Sequence, residues 1–86
     1  MKNGLEIDSY GTKCWYKNDQ LHREDGPAME YANGDKWWYK NDQQHREDGP
    51  AIEYANGTKK YFIEDVEYTY EAWRKYILIL KLSGVE

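Results

Sequence analysis

Tyr16 to Gly34 reads YKNDQLHREDGPAMEYANG, and Tyr39 to Gly57 reads YKNDQQHREDGPAIEYANG. The two copies differ only at Leu21/Gln44 and Met29/Ile52. The offset from Tyr16 to Tyr39 is 23 residues, and a fading third copy follows in Asn56-Gly57-Thr58-Lys59-Lys60-Tyr61-Phe62. A period of this size marks a repeat architecture in which each unit is one small supersecondary element. A His or Asp that recurs at the period is then read first as part of the repeat, and only second as chemistry.

Working outward from the repeat, Asn33-Gly34 and Asn56-Gly57 are strong hairpin signals, because a two-residue type I′ turn needs positive φ at both central positions. A turn there sets Met29 against Trp38, Glu30 against Trp37 and Ala28 against Tyr39. In the next unit it sets Ile52 against Tyr61, Glu53 against Lys60 and Ala51 against Phe62. Opposed residues share a face of the sheet. One face then carries Met29, Tyr31, Trp38, Ile52, Tyr54 and Tyr61, and is the expected core. The other carries Cys14, Trp37 and Lys60, which vary between units and are expected to be partly exposed. The first hairpin fits with a three-residue loop, Ser9-Tyr10-Gly11, which pairs Ile7 with Lys13, Glu6 with Cys14 and Leu5 with Trp15.

Between hairpins runs Asn18 to Pro27, copied at Asn41 to Pro50. Asn-Asp starts a turn and Asp-Gly-Pro returns the chain. After Ile63 the pattern changes. Glu64-Asp65 reads as a turn and Val66-Glu67-Tyr68 as a short strand. Thr69 is a helix N-cap candidate with Glu71 in the first turn. Trp73, Tyr76, Ile77 and Leu80 fall on one helical face, with Ser83-Gly84 as the stop. The run Ile77 to Leu80 is also compatible with a strand. The expected architecture is mainly β: three β-hairpin repeats in an elongated, single-layer antiparallel sheet with a C-terminal capping α-helix. Residues 1–86 form one domain, with the hairpins over 5–63 and the turn and cap over 64–86.

Composition sets the limits. Mean hydropathy is −1.12, and between Tyr10 and Gly57 the only branched aliphatic residues are Leu21 and Ile52. Four Trp, nine Tyr and one Phe supply the apolar area instead; each large ring buries about 150–250 Å² and keeps a polar handle. A net charge of −4 is no footprint for long nucleic acid. One Cys and two His give no zinc spacing, so no metal and no cofactor is expected. No signal-peptide, transmembrane or lipidation pattern is seen, and the expected compartment is the cytoplasm.

His22, Arg23, Glu24 and Asp25, with their copies His45, Arg46, Glu47 and Asp48, contain the residue types of acid–base catalysis. No nucleophile completes a triad: Ser9 and Ser83 lie outside the repeat, and Cys14 has no sequence-visible activator. The bland reading is that His and Asp bond the turn backbone while Arg pairs with a carboxylate of the neighbouring unit. The aromatic stripe Tyr16, Trp37, Tyr39 and Phe62 could stack bases, or pack against a partner chain or the C-terminal helix. A one-layer sheet leaves a face and both edges exposed, and Trp, Tyr and Arg are the residues of interface hot spots. The residues expected to bind a partner are therefore Tyr16, Trp37 and Tyr39, with Arg23 and Arg46 at the rim.

A 23-residue hairpin unit with a Trp/Tyr strand, an Asn-Gly turn and a His-containing turn resembles the MORN repeat. His22 to Ala28 and His45 to Ala51 are similar to a MORN-like variant of small bacterial and bacteriophage proteins. The resemblance spans Leu5 to Ile63 and departs from the usual unit in placing Arg-Glu-Asp between His and Gly. It implies a single-layer sheet and a binding role; lipid binding, scaffolding and antitoxin-like roles go with the family. For a phage protein of this size it implies an inhibitor of a host defence protein, anti-CRISPR-like or another anti-defence type, acting in the host cytoplasm. The expected function is thus a non-enzymatic protein-binding module with a host protein partner. A homodimer is a further expectation; the alternatives are a sponge for a small nucleotide signal and an antitoxin-like or scaffold repeat protein.

Overall fold

The computed structural model describes residues 1–83. In chain order its strands are β1 (Gly4–Ile7), β2 (Lys13–Lys17), β3 (Gln20–Leu21), β4 (Met29–Glu30) and β5 (Lys36–Trp37). There follow β6 (Tyr39–Lys40), β7 (Gln43–Gln44), β8 (Ile52–Glu53), β9 (Lys59–Ile63), β10 (Val66–Tyr68) and the helix α1 (Tyr70–Ser83). The main sheet runs β1-β2-β4-β5-β8-β9-β10, with β3 on β2, while β6 and β7 pair separately; every pairing is antiparallel. The fold is mainly β with a C-terminal helix, and Ile77 to Leu80 are helical. The molecule measures 42 × 31 × 18 Å.

Each unit uses two kinds of turn, and their roles are exchanged relative to expectation. Asn18-Asp19, Asn41-Asp42 and Glu64-Asp65 make the two-residue turns. Their paired φ values are 52° and 66°, 52° and 67°, and 48° and 70°, the double positive φ that a type I′ turn requires. Asn33-Gly34 and Asn56-Gly57 instead close three-residue loops like Ser9-Tyr10-Gly11. Tyr31 N–H donates to Asp35 O and Tyr54 N–H to Thr58 O, as Asp8 N–H does to Thr12 O. Gly34 and Gly57 alone take positive φ there, at 101° and 94°. The Asn side chains are spent inside these loops: Asn33 Oδ1 accepts from Asp35 N–H and Asn56 Oδ1 from Thr58 N–H.

The longer loop moves the register by one residue. Met29 faces Trp37 and Glu30 faces Lys36; Ile52 faces Lys60 and Glu53 faces Lys59. The first hairpin pairs as expected, Leu5 with Trp15, Glu6 with Cys14 and Ile7 with Lys13. A slip of one residue sends a strand's side chains to the opposite face. Met29, Tyr31, Ile52 and Tyr54 therefore share a face with Cys14, Trp37 and Lys60, not with Trp38 and Tyr61. Trp15, Trp38 and Tyr61 define the other face, together with Glu30 and Glu53. Glu53 pairs with Arg46 rather than Lys60.

Successive units are joined by a ladder built on the turn aspartates. Asp42 N–H donates to Leu21 O, and the Asp42 carboxylate accepts from Leu21 N–H at 2.6 Å. Asp65 makes the same pair of bonds to Gln44. At the N-terminal end Asp19 makes them to Lys2.

The helix begins at the expected cap, where Thr69 Oγ1 accepts from Ala72 N–H at 3.2 Å. Glu71 in the first turn and Lys81 in the last turn both suit the helix dipole. At the far end Ser83 Oγ donates to Leu80 O, while Gly84 lies outside the described residues. Trp73 and Ile77 are buried against Ile63, with Tyr61, Tyr68, Tyr76 and Leu80 packed around them. By strand alternation Tyr61 and Ile63 belong to the Trp15/Trp38 face, so the helix covers that face at the last unit.

Candidate functional site

The two faces differ in what lies on them. On the Trp15/Trp38 face, each Arg of the His-Arg-Glu-Asp-Gly-Pro turn folds back onto a Trp. The Arg23 guanidinium carbon sits 3.8 Å from the Trp15 ring centroid and that of Arg46 sits 3.9 Å from Trp38. Arg46 Nε donates to Asp48 at 2.8 Å, and one terminal nitrogen donates to Pro50 O and Glu53, each at 3.0 Å. Arg23 repeats the set with Asp25, Pro27 O and Glu30. The Arg partners are thus carboxylates of its own unit, because the turn curls tightly enough for the side chain to reach across it. Gly26 and Gly49 make room: a Cβ at Gly49 would meet the Arg46 guanidinium carbon at 2.7 Å. The third unit has no such Arg. Trp73 takes its place over Tyr61, with ring centroids 4.9 Å apart, and donates from Nε1 to Arg46 O.

His22 and His45 are held by bonds on both ring nitrogens. His22 Nδ1 accepts from Asn41 N–H at 3.1 Å, and its Nε2 meets Glu24 at 2.5 Å. His45 Nδ1 accepts from Glu64 N–H at 3.1 Å, and its Nε2 meets Glu47 at 2.8 Å. Each ring therefore couples one unit to the next turn. The hydrogen bond from His22 holds the Glu24 carboxyl below its ordinary value of 4.5, and the charge of the ring adds to this once the ring is protonated. A carboxylate depressed in the folded state contributes stability above its unfolded value, and that contribution is lost as pH falls through the folded one. Glu24→Gln is expected to flatten the decline of melting temperature below about pH 4.5, measured against wild type by calorimetry.

Among the residues expected to bind a partner, the structure unites three and separates two. Tyr16, Trp37 and Tyr39 stand on one face, all half-buried. Arg23 and Arg46 are on the opposite face and are consumed by Trp stacking and ion pairs. Trp37 and Tyr39 stack with centroids 6.5 Å apart. Tyr31 and Tyr54 close on Trp37 edge-on at 5.7 and 6.4 Å. A two-residue Asn-Gly turn puts Tyr31 and Tyr54 on the core face; the observed register places them here instead. The Tyr39 hydroxyl is raised above its usual pKa mainly by burial, then by Tyr31 and nearby acids. Burial likewise raises the Cys14 thiol, which is no setting for a thiolate nucleophile. The Trp37 indole N–H is buried and has no acceptor among the described residues.

The result is a continuous band of Tyr31, Trp37, Tyr39 and Tyr54, extended by Met29, Ile52 and Tyr16. A trough of about 540 Å³ lies between the two His-Arg-Glu-Asp turns, with Trp38 of the other face in its lining and Tyr39 where it meets the band. Arg23, Asp25, Arg46, Glu47 and Asp48 in its walls are paired internally.

Comparisons with protein-family models, with curated proteins and with solved structures each gave no match for the chain.

Proposed function

We propose that the protein is a non-enzymatic binding module that presents the Trp37 band to a protein partner. The observation that carries this reading is the asymmetry of the sheet. One face is roofed by Arg side chains and the helix, while the other carries a connected set of half-buried aromatic rings that neither covers. Tyr and Trp give large contact area at low entropic cost and dominate interface hot spots. The bonds that occupy both imidazole nitrogens and the guanidinium groups fit a structural role for the repeated charged turn. The resemblance of the His22–Ala28 and His45–Ala51 turns to MORN-like repeats supports, as the kind of partner, a host defence protein bound in the host cytoplasm.

The test is binding to such a partner, captured from host lysate and then measured as a purified complex. Trp37→Ala is expected to weaken binding by about 2 kcal/mol or more, roughly 30-fold. Trp37 also packs within the chain, so Tyr16→Lys serves as the second variant; it places a charge on the band at a half-buried position. Wild-type affinity in both variants would remove the band from the interface. If instead the purified chain is a dimer and the same variants make it monomeric, the face belongs to a second copy.

A further inference from the structure

We propose that His22 and His45 make the coupling between successive repeat units sensitive to pH. In both cases Nδ1 is the acceptor of a backbone N–H from the following two-residue turn, Asn41 for His22 and Glu64 for His45, each at 3.1 Å. An imidazole nitrogen accepts only while it carries no proton, so the ring in this arrangement is neutral, with its proton on Nε2 facing Glu24 or Glu47. Protonation converts Nδ1 into a donor that points at another donor. The rung between units is then lost, and the backbone N–H loses its partner.

The N-terminal end of the ladder contains its own control. There, Asn3 Oδ1 accepts Asn18 N–H at 2.9 Å. Asn18 is the repeat equivalent of Asn41, so an amide oxygen fills the place of the imidazole nitrogen. An amide does not titrate, so this rung persists where the other two fail.

Charged groups surround each ring; Arg23, Glu24, Asp25, Arg46 and Asp48 line the same trough as His45. Glu24 meets His22 Nε2, Asp42 accepts from the adjacent Leu21 N–H, and Lys40 and Lys17 both act on Glu24. Glu47 meets His45 Nε2, Asp65 accepts from Gln44 N–H, and Lys40 lines the same trough as His45. Glu24, held below its ordinary value, remains ionised across the range in which a histidine titrates.

The experiment is amide exchange on the intact chain, as protection factors from about pH 8 to about pH 5. Asn41 and Glu64 amides are expected to lose about tenfold in protection at the acid end, while Asn18 keeps its own. Equal pH response at all three amides would overturn the proposal. Ring nitrogen shifts at the alkaline end are expected to show the Nε2–H tautomer in both residues; an Nδ1–H tautomer would also overturn it. In His22→Asn with His45→Asn, the acid loss at Asn41 and Glu64 is expected to vanish. Its persistence in that variant would assign the response to other groups.

Discussion

Trp73→Ala is expected to release the C-terminal helix and to lower the unfolding free energy by about 3–5 kcal/mol, the usual cost of emptying a packed aromatic site. Trp73 is the centre of the one apolar cluster with the helix in it, among Ile63, Ile77, Tyr61 and Tyr70. Its indole N–H also satisfies Arg46 O at 3.1 Å. A domain of this length holds about 4–13 kcal/mol in all, so the loss is a large share of the total. Helical circular dichroism and the melting temperature are expected to fall together. Trp73→Phe separates the two contributions. It keeps a ring over Tyr61, drops the hydrogen bond, and is expected to cost about 1–2 kcal/mol. An unchanged melting temperature in the alanine variant would mean that the helix does not close the last unit.

Arg46→Ala is expected to cost about 2–4 kcal/mol, measured by denaturant unfolding. The side chain is 19% exposed, so its ion pairs are screened only in part. Substitution removes the stack on Trp38, opens the pair with Glu53, and strips Pro50 O of its donor. Arg46→Lys is expected to recover little of this, because an ammonium cannot both stack on the indole and fork between Asp48 and Glu53. A double-mutant cycle with Trp38→Phe is expected to give a coupling above about 0.5 kcal/mol. Full additivity would mean that the stack contributes nothing. Arg23→Ala is expected to cost somewhat less, since its contact with Glu30 is longer, at 3.3 Å, and its side chain is slightly more exposed.

Local signals were legible in the chain, and signals set by contact between units were not. The repeat, the Ser9-Tyr10-Gly11 loop, the Thr69 cap and the buried helix face all follow from residues within a few positions of one another. The register of the other hairpins did not follow, because Asn-Gly and Asn-Asp can each supply positive φ. What selects Asn-Asp for the tight turn is the carboxylate of Asp42 or Asp65, which bonds a strand 21 residues earlier. That partner is invisible until the units are stacked. The same one-residue slip explains why the Trp37 face was recognised but Tyr31 and Tyr54 were set on the wrong side of it. The place of Arg23 and Arg46 on the opposite face was not legible for a related reason. Each Arg reaches a Trp eight residues before it, across a turn whose curl cannot be read from spacing. Trp73 as the substitute for a third Arg has one trace in the sequence: Tyr61 is not followed by another His-Arg-Glu-Asp-Gly-Pro.

Both ends of the ladder are finished by residues from outside the repeat. Lys2 and Asn3 fill the preceding unit's place beside the first turn, and Trp73 roofs the last strand. Nothing in the middle depends on how many units separate those two closures, since every rung reaches only its neighbour. Unit number is therefore a free variable of this design. A lineage could lengthen or shorten the aromatic band one 23-residue step at a time, tuning reach without reinventing either terminus.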